Sequence, residues 1–185
     1  MTRLRHLWTA GLAIALSMTP APRSGAEPHA TEKPASLQAA LATLALQDLD
    51  GELVTLSSYL GGGPVLFDFW ATWCKPCLQA LPDLDALHAE LGPRGLRVVG
   101  INEDGPRNAP KVKPFMQTNG YTFPVLLDLN REAQRRLQVA ALPTTLLLAA
   151  DGTVLHSSLG YNPGEFAKLR PLIESLLSEP ADADD

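Results

Sequence analysis

Cys74 and Cys77 are the only cysteines of the 185-residue chain, and two residues separate them. Such a pair could close a structural disulfide, supply half of a metal site, or work in thiol–disulfide exchange. A disulfide across so short a loop would add little stability, because the entropic contribution of a cross-link grows with the loop that it closes. The spacing therefore favours redox chemistry, in which a thiolate attacks a substrate disulfide and forms a mixed disulfide.

A metal site is the weaker interpretation, because zinc in proteins normally takes four ligands. The other candidate ligands are the four histidines of the chain, His6, His29, His88 and His156. The first two lie in N-terminal segments outside the predicted domain, and the other two are more typical of surface histidines. Covalent haem attachment needs a histidine directly after the second cysteine, where this chain has Leu78. We expect neither a metal nor another cofactor.

The two cysteines are predicted to have different roles. They follow an apolar run and open a helical pattern, so Cys74 falls at a helix N-terminus, where N–H groups and the helix dipole stabilise a thiolate. Lys75 adds a positive charge, and Pro76 fits the first turn because its missing N–H is not needed there. We expect Cys74 to be the exposed nucleophile with a lowered pKa. Cys77, one turn further along, is predicted to be more buried and to act as the resolving thiol.

The surrounding pattern predicts an α/β fold, in which helices cover both faces of a sheet. The apolar runs Pro64–Trp70 and Leu96–Asn102 are typical of strands buried on both faces. A hairpin is predicted around Asp50-Gly51. Shorter strands are predicted at Phe123–Asp128, Thr144–Ala149 and Thr153–Leu159. Helices separate the strands, and the helix that the cysteines open contains Pro82, which should kink it.

The N-terminus is typical of an export signal. Arg3 and Arg5 precede the apolar segment Leu7–Met18, which is too short to span a bilayer comfortably. Ser24–Ala26 supplies small residues for cleavage after Ala26, and an uncleaved signal anchor is the competing interpretation. We therefore predict a signal peptide at 1–26, a linker with room for one short helix at 27–44, the folded domain at 45–178 and a disordered acidic tail at 179–185.

The charge of the exported chain argues against some partners. Cleavage removes three of the 15 Lys and Arg residues and none of the 20 Asp and Glu residues, which takes the net charge from −5 to about −8. An acidic protein of this kind is a poor ligand for nucleic acid or for anionic membrane surfaces. Export also predicts a periplasmic or secreted protein in an oxidising compartment, where close cysteines tend to pair.

The segment "DFWATWCKPC", with Pro82 and "LPTT" at Leu142–Thr145, resembles the thioredoxin superfamily. The stretch "DLDGELVTLSSYLGGGPVLFDFWATWCKPC" and the later "VVGINEDG" are similar to its exported TlpA/ResA-like branch, over residues from about 45 to 177. The resemblance implies a thioredoxin-like fold: a mixed central sheet flanked by helices, with an N-terminal β-hairpin and a helix–strand insertion at about 107–128.

The resemblance also implies roles for residues outside the cysteine pair. Pro143 would be cis beside the cysteines, although trans is the default for an X-Pro bond, and the backbone at Leu142 would pair with an extended substrate chain. Trp73 would belong to the docking surface, whereas Trp70 is expected in the core. Glu103 is the nearest match to a glutamate that the branch carries near its active site, with a solvated loop charge as the alternative.

In thioredoxins, the carboxyl at the position of Asp68 lies buried beneath the second cysteine. Burial raises the pKa of a carboxyl, so Asp68 would exchange protons near neutral pH and take the proton of Cys77. The TlpA/ResA-like branch often has asparagine here, so this chain departs from that branch towards thioredoxin. The alternative is that Asp68 faces a wet pocket or pairs with a lysine.

The resemblance implies an exported, monomeric thiol–disulfide oxidoreductase that reduces protein disulfides, such as those of apocytochrome c or copper-site assembly proteins. A membrane thiol donor would keep the pair reduced. An oxidant or isomerase remains an alternative, although an isomerase usually needs a dimer. A peroxiredoxin would carry Pro and Thr where this chain has Phe67 and Ala71. A copper-binding module of this superfamily would use a CxxxC spacing with a distal histidine, which argues against that function here.

Overall fold

The computed structural model of the protein describes residues 37–178, which lie within one unit of the chain, Lys33–Asp185. The predicted signal peptide at 1–26, the first part of the predicted linker and the predicted tail at 179–185 lie outside the described residues. No helix between residues 37 and 178 is long and apolar enough to cross a membrane.

A mixed sheet of seven strands runs through the described part of the chain, in the order β2-β1-β5-β4-β3-β6-β7. The strands are β1 (Ala45–Asp48), β2 (Leu53–Thr55), β3 (Val65–Trp70), β4 (Arg97–Asn102), β5 (Val125–Leu127), β6 (Thr144–Leu148) and β7 (Val154–Leu159). The central strands β3, β4 and β5 are parallel. By contrast, β1 and β6 run antiparallel to both of their neighbours.

Helices connect the strands and cover both faces of the sheet. They are α1 (Leu37–Thr43), α2 (Lys75–Leu91), α3 (Gly105–Asn108), α4 (Val112–Asn119), α5 (Glu132–Arg136) and α6 (Glu165–Ser178). Pro82 lies inside α2, which is a single helix on both sides of this residue. The predicted α/β class is confirmed, and so are the hairpin around Asp50-Gly51 and the closing pair of β6 and β7.

The side chains of β3 alternate between two apolar clusters, because successive residues of a strand point to opposite faces. Leu66 and Trp70 pack in the cluster that contains the buried sides of α2 and α6. Phe67 and Phe69 pack in the cluster that contains α1 and part of α5. All six residues of β3 are buried, as expected for a strand covered on both faces.

Helix α1 lies inside the segment predicted as a linker. Ala40 and Leu41 are fully buried, and both pack in the same cluster as Phe67. The packed part of the chain therefore reaches back at least to Leu37, ahead of the boundary predicted at residue 45. The short helix allowed for in this segment is present, and its apolar face contributes to the core.

The insertion between β4 and β5 places an additional strand inside the sheet. α3 and α4 lead to β5, which pairs with β4 on one side and with β1 on the other. α4 ends at Gly120, whose φ of +72° is the left-handed conformation that favours glycine after a helix. The N-terminal hairpin therefore extends the sheet beyond the insertion.

Candidate active site

Three chain segments meet at one edge of the sheet, and they carry most of the predicted site residues. Trp70 at the end of β3 pairs with Asn102 at the end of the parallel strand β4. Phe69 pairs with Thr144 at the start of the antiparallel strand β6. The segments that follow β3, follow β4 and precede β6 therefore emerge together. They contain the cysteines, Glu103 and the Leu142–Pro143 bond, respectively.

Cys74 and Cys77 form a disulfide at the start of α2, with their Cα atoms 5.2 Å apart. Cys74 is the N-cap residue of the helix, and its Sγ accepts a hydrogen bond from the N–H of Cys77 at 3.3 Å. Cys77 is completely buried, whereas 6% of Cys74 is exposed. The prediction of an exposed Cys74 is therefore wrong in absolute terms, because this residue packs in the apolar cluster of α2; only the order of exposure holds.

Lys75 and Pro76 form the exposed beginning of α2. The Lys75 ammonium makes no salt bridge with any residue between 37 and 178. Its charge therefore remains unneutralised in the helical turn that carries both sulfur atoms. Trp73, on the other side of Cys74, is 58% exposed, which is unusual for so large an apolar side chain.

The Leu142–Pro143 peptide bond is cis, as the resemblance implied. Pro143 is buried, and its carbonyl accepts a hydrogen bond from the N–H of Gly160 at 2.8 Å. The Thr144 hydroxyl donates to the carbonyl of Ala141 at 2.7 Å. Within the described residues, neither the N–H nor the C=O of Leu142 has a backbone partner. Hydrogen bonds thus fix the chain on both sides of Leu142, whose own backbone N–H and C=O have no backbone partner among the described residues.

Asp68 is completely buried on β3 and points to the same face as Leu66 and Trp70, where Cys77 also packs. Its Oδ2 accepts a hydrogen bond from the Thr145 hydroxyl at 2.8 Å, and its Oδ1 has no partner among the described residues. Burial raises the pKa of Asp68 to about 7; the Thr145 hydrogen bond opposes this rise and the charge of Glu165 adds to it. The carboxyl can therefore exchange a proton near neutral pH.

No basic side chain between residues 37 and 178 forms a salt bridge with Asp68, so the alternative of a lysine partner finds no support. The residue opposite it on β4 is Gly100. A Cβ atom at this position would lie 2.8 Å from the indole nitrogen of Trp70, which occupies the available space. The neighbouring strand consequently offers Asp68 no charged partner.

Glu103 is 2% exposed, so its interpretation as a solvated loop charge is wrong. Its N–H donates to the carbonyl of Trp70 at 2.8 Å, which joins the ends of β3 and β4. Burial raises the pKa of Glu103 to about 8, and the neighbouring Asp128 carboxylate adds to this rise. Neither Glu103 oxygen receives a hydrogen bond from a described residue, but a protonated Glu103 can donate to Asp128.

Asp128 has the opposite environment to Glu103. Its Oδ1 accepts from the N–H of Glu132 at 2.7 Å, and its Oδ2 accepts from the N–H of Gln134 at 2.9 Å. These bonds satisfy free N–H groups in the first turn of α5. Burial and the Asp128 charge together raise the pKa of Glu103, so Glu103 carries a proton near neutral pH.

Asp104 is a site residue that the sequence interpretation missed. Its Oδ2 accepts from the Thr72 N–H at 2.9 Å, and its Oδ1 accepts from the Thr72 hydroxyl at 2.6 Å. The Asn102 side chain donates to the same carboxylate at 2.7 Å and accepts from the Asp104 N–H at 3.1 Å. Thr72 lies two residues before Cys74. The polar run at the end of β4, directly beside the end of β3, was the signal available in the sequence.

Tyr161 lies outside the predicted site and contacts the helix that carries the cysteines. The Tyr161 hydroxyl, to which no role was assigned, donates to Asp83 on α2 at 2.6 Å, and this hydrogen bond is the main cause that raises the pKa of Tyr161 to about 12. Between residues 37 and 178, no group of three or more His, Cys, Asp or Glu side chains is arranged to hold a metal ion.

A mixed sheet whose first central strand leads directly into a cysteine pair at a helix N-terminus is the architecture of thioredoxin-like proteins, and this protein is one of them. The sequence model described as the AhpC/TSA family matches residues 37–157, and the chain belongs to this family.

Curated relatives and a solved structure agree with this class. The chain is 34% identical over 115 residues to the thiol-disulfide oxidoreductase ResA of Bacillus subtilis, and 35% identical over 109 residues to ResA of Geobacillus kaustophilus. These matches cover 62% and 59% of this chain, and 63% and 61% of the relatives' own length. The crystal structure of a Chlorobium tepidum protein assigned as the thiol:disulfide interchange protein DsbE superposes with a TM-score of 0.66 at 30% identity. The superposition covers 73% of this chain and 93% of the Chlorobium tepidum chain.

Proposed function

We propose that the protein is an exported thiol–disulfide oxidoreductase that reduces disulfides of other proteins. The observation that carries this proposal is the Cys74–Cys77 disulfide at the N-terminus of α2, with Cys77 fully buried beneath Cys74. Relatives named thiol-disulfide oxidoreductase support the same activity. The reaction needs no group other than the two thiols and a proton acceptor.

In the reduced protein, the Cys74 thiolate attacks one sulfur of a substrate disulfide, and the other substrate sulfur leaves as a thiolate. The helix dipole and Lys75 favour the Cys74 thiolate over the thiol. The Cys77 sulfur then attacks Cys74 Sγ and displaces the second substrate thiolate. Two electrons pass from the cysteine pair to the substrate, and the pair ends as the disulfide seen in the structure.

Asp68 is the proposed acceptor for the proton of Cys77. A buried thiol cannot attack until it loses its proton, and a carboxyl with a pKa of about 7 accepts that proton while remaining able to release it. Its burial on the face of β3 where Cys77 packs supports this role. Asp68 would be ionised before the mixed disulfide resolves, neutral once it has taken the proton of Cys77, and ionised again before the next cycle.

Substrate docking is proposed at Trp73 and the Leu142–Pro143 loop. The exposed indole offers an apolar contact beside Cys74. The free N–H and C=O of Leu142 can pair with an extended substrate chain, as in other proteins that bind a peptide as an added strand. Lys75, Pro76 and Glu103 are proposed to adjust the stability of the thiolate; for Glu103, the support is its location at the end of the strand beside β3.

The proposed setting is the periplasm or the exterior, reached with the predicted signal peptide at 1–26. There a membrane thiol donor would return the pair to its reduced form, and the substrates would be apocytochrome c or copper-site assembly proteins. The protein would act as a monomer. The acidic composition supports protein substrates over nucleic acid.

The test combines the reduction potential of the cysteine pair with trapping of substrates. A reductant has a strongly negative potential, whereas an oxidant such as a disulfide-forming enzyme has a potential nearer to zero. Cys77→Ser should accumulate mixed disulfides with substrates, and the matched Cys74→Ser should trap none. Reduction of insulin disulfides by the wild-type protein supports the proposal. Peroxide consumption or stoichiometric copper binding without insulin reduction would replace it with another function.

A further inference from the structure

Three polar side chains form a row across β3, β6 and β7. Asp68 pairs directly with Thr145, and Thr145 pairs directly with Ser158. Directly paired residues of adjacent strands point to the same face, with Cβ atoms about 4.5–5.5 Å apart. The row therefore extends from the carboxyl beneath the cysteines towards β7, which is the edge strand of the described sheet.

Glu165 is the first residue of α6, the helix that follows the edge strand β7 in the chain. Glu165 is half-buried, and its two oxygens have different environments. Its Oε2 accepts from the N–H of Asn162 at 3.3 Å, whereas its Oε1 is buried and has no partner between residues 37 and 178. Its charge raises the pKa of Asp68, so the two carboxyls are close enough to interact.

Three buried oxygens on this face lack hydrogen-bond partners in the described structure: Asp68 Oδ1, Ser158 Oγ and Glu165 Oε1. Buried polar atoms without partners are rare in folded proteins and need an explanation. A hydrogen-bonded chain for a moving proton needs oxygens that are free to accept and donate in turn. Among the three side chains of the row, the described structure has one hydrogen bond, which the Thr145 hydroxyl donates to Asp68.

We propose that Thr145, Ser158 and Glu165 carry the proton of Asp68 from the buried active site to solvent. The inference rests on the proposed role of Asp68 as proton acceptor for Cys77. The protonated Asp68 gives its proton to the Thr145 hydroxyl, which passes its own proton towards Ser158 and so remains unchanged. Ser158 does the same towards the Glu165 carboxylate. Glu165, half-exposed, then releases the proton to water or to a buffer base.

Other titratable side chains lie near the row of Asp68, Thr145 and Ser158, and the experiment has to account for them. His156 lies on the same face of β7, opposite Leu147, and its Nε2 is buried without a partner in the described part of the chain. The Tyr161 hydroxyl donates a hydrogen bond to Asp83 of α2. The cysteine pair packs in the apolar cluster on the same face of the sheet. Because His156 is outside the Asp68 row, His156→Gln serves as a nearby variant that should leave the proton route intact.

The experiment follows release of the second substrate thiol in a single turnover of the reduced protein, from about pH 5 to pH 9. Glu165→Gln and Ser158→Ala should lower the maximal rate by about fivefold or more, less than the loss of a direct proton acceptor. Glu174→Gln, on the surface of the same helix, should leave the rate unchanged. Circular dichroism and thermal unfolding verify that each variant is folded.

The outcomes separate this inference from the proposed function. If Asp68→Asn resolves mixed disulfides at the wild-type rate, the role of Asp68 fails and the route fails with it. If Asp68→Asn is slow but Glu165→Gln and Ser158→Ala keep the wild-type maximal rate, only the route fails. A lower apparent pKa in Glu165→Gln with an unchanged maximal rate would make Glu165 an electrostatic neighbour alone. The double variant with Asp68→Asn and Glu165→Gln should release the second substrate thiol at the same maximal rate as Asp68→Asn alone.

Discussion

Asp104 binds Thr72 with both of its carboxylate oxygens, and this contact fixes the chain two residues before Cys74. The Asn102 side chain donates a further hydrogen bond to the Asp104 carboxylate. The end of β4 thereby sets the path along which the chain leaves β3 and enters α2. The position of Cys74 therefore depends on a contact between Thr72 and Asp104, which are 32 residues apart in sequence.

Asp104→Ala is predicted to lower both the rate of disulfide reduction and the stability of the oxidised protein. Loss of hydrogen bonds to a charged, largely buried group costs about 1.5–3 kcal/mol each, which denaturant unfolding measures. Thr72→Val should show a smaller loss, because it removes only the hydroxyl bond. The matched control is Asp85→Ala, which removes a similar pair of hydrogen bonds that the N–H and hydroxyl of Thr122 donate to Asp85. Asp85→Ala should lose stability but keep the wild-type rate of disulfide reduction, and an equal loss of rate in both variants would contradict a positioning role for Asp104.

Asp68→Asn is predicted to slow resolution of mixed disulfides and to stabilise the oxidised protein at neutral pH. The folded pKa of about 7 lies above the ordinary value of 3.8, so the wild-type carboxyl destabilises the fold increasingly as pH rises between these values. The stability gain of the variant should thus be small near pH 4 and reach roughly 3–4 kcal/mol above pH 7. Urea unfolding across this range measures it, and a gain that does not vary with pH would argue against a raised pKa.

Glu103→Gln tests the carboxyl pair with Asp128. The pKa of Glu103 is raised from 4.5 to about 8. Between these two pH values Glu103 ionises more readily in the unfolded chain than in the folded protein, so the free energy of unfolding falls as pH rises. The variant should match the wild type near pH 4 and become more stable towards pH 8. Glu132→Gln, which changes an exposed carboxylate paired with Arg136, should show no such rise. A parallel measurement of the reduction potential reports whether Glu103 also adjusts the cysteine pair.

Trp73→Ala is predicted to raise KM for a protein disulfide several-fold and to leave the folding stability nearly unchanged. The indole is mostly exposed, so little of its apolar surface is buried by folding and much is available to a substrate. Leu53→Ala is the control, because Leu53 is 72% exposed and lies on β2, at the opposite edge of the sheet from β7. Equal KM values for both variants would remove Trp73 from the docking surface.

Local features of the site were predictable because they depend on neighbours in sequence. The apolar run before Cys74 and the helical spacing after it predict the strand-to-helix junction. The single carboxyl in β3 draws attention to Asp68. Contacts between distant segments follow from strand register, which a single sequence does not reveal. The Asp104–Thr72 bonds, the Glu103–Asp128 pair and the approach of Glu165 to Asp68 are of this second kind.

The burial of α1 likewise depends on contacts with distant parts of the chain and not on its own sequence. "LQAALAT" is only seven residues long, has no acidic residue in its first turn and no basic residue in its last turn, and its composition is also typical of a linker. Its place in the fold comes from Ala40 and Leu41, which fit against the face of the sheet that carries Phe67. Tertiary packing therefore stabilises a helix that its own sequence would leave marginal.

Gly100, opposite Asp68, has a consequence for the conditions under which the protein can work. With no side chain at this position and Trp70 filling the space, Asp68 is controlled by burial and not by pairing with a cation. Dissolved ions screen exposed charges strongly but hardly reach a fully buried carboxyl. The pH at which Asp68 exchanges its proton should therefore be almost independent of ionic strength, and the proposed role of this carboxyl would then be the same in dilute and in concentrated salt.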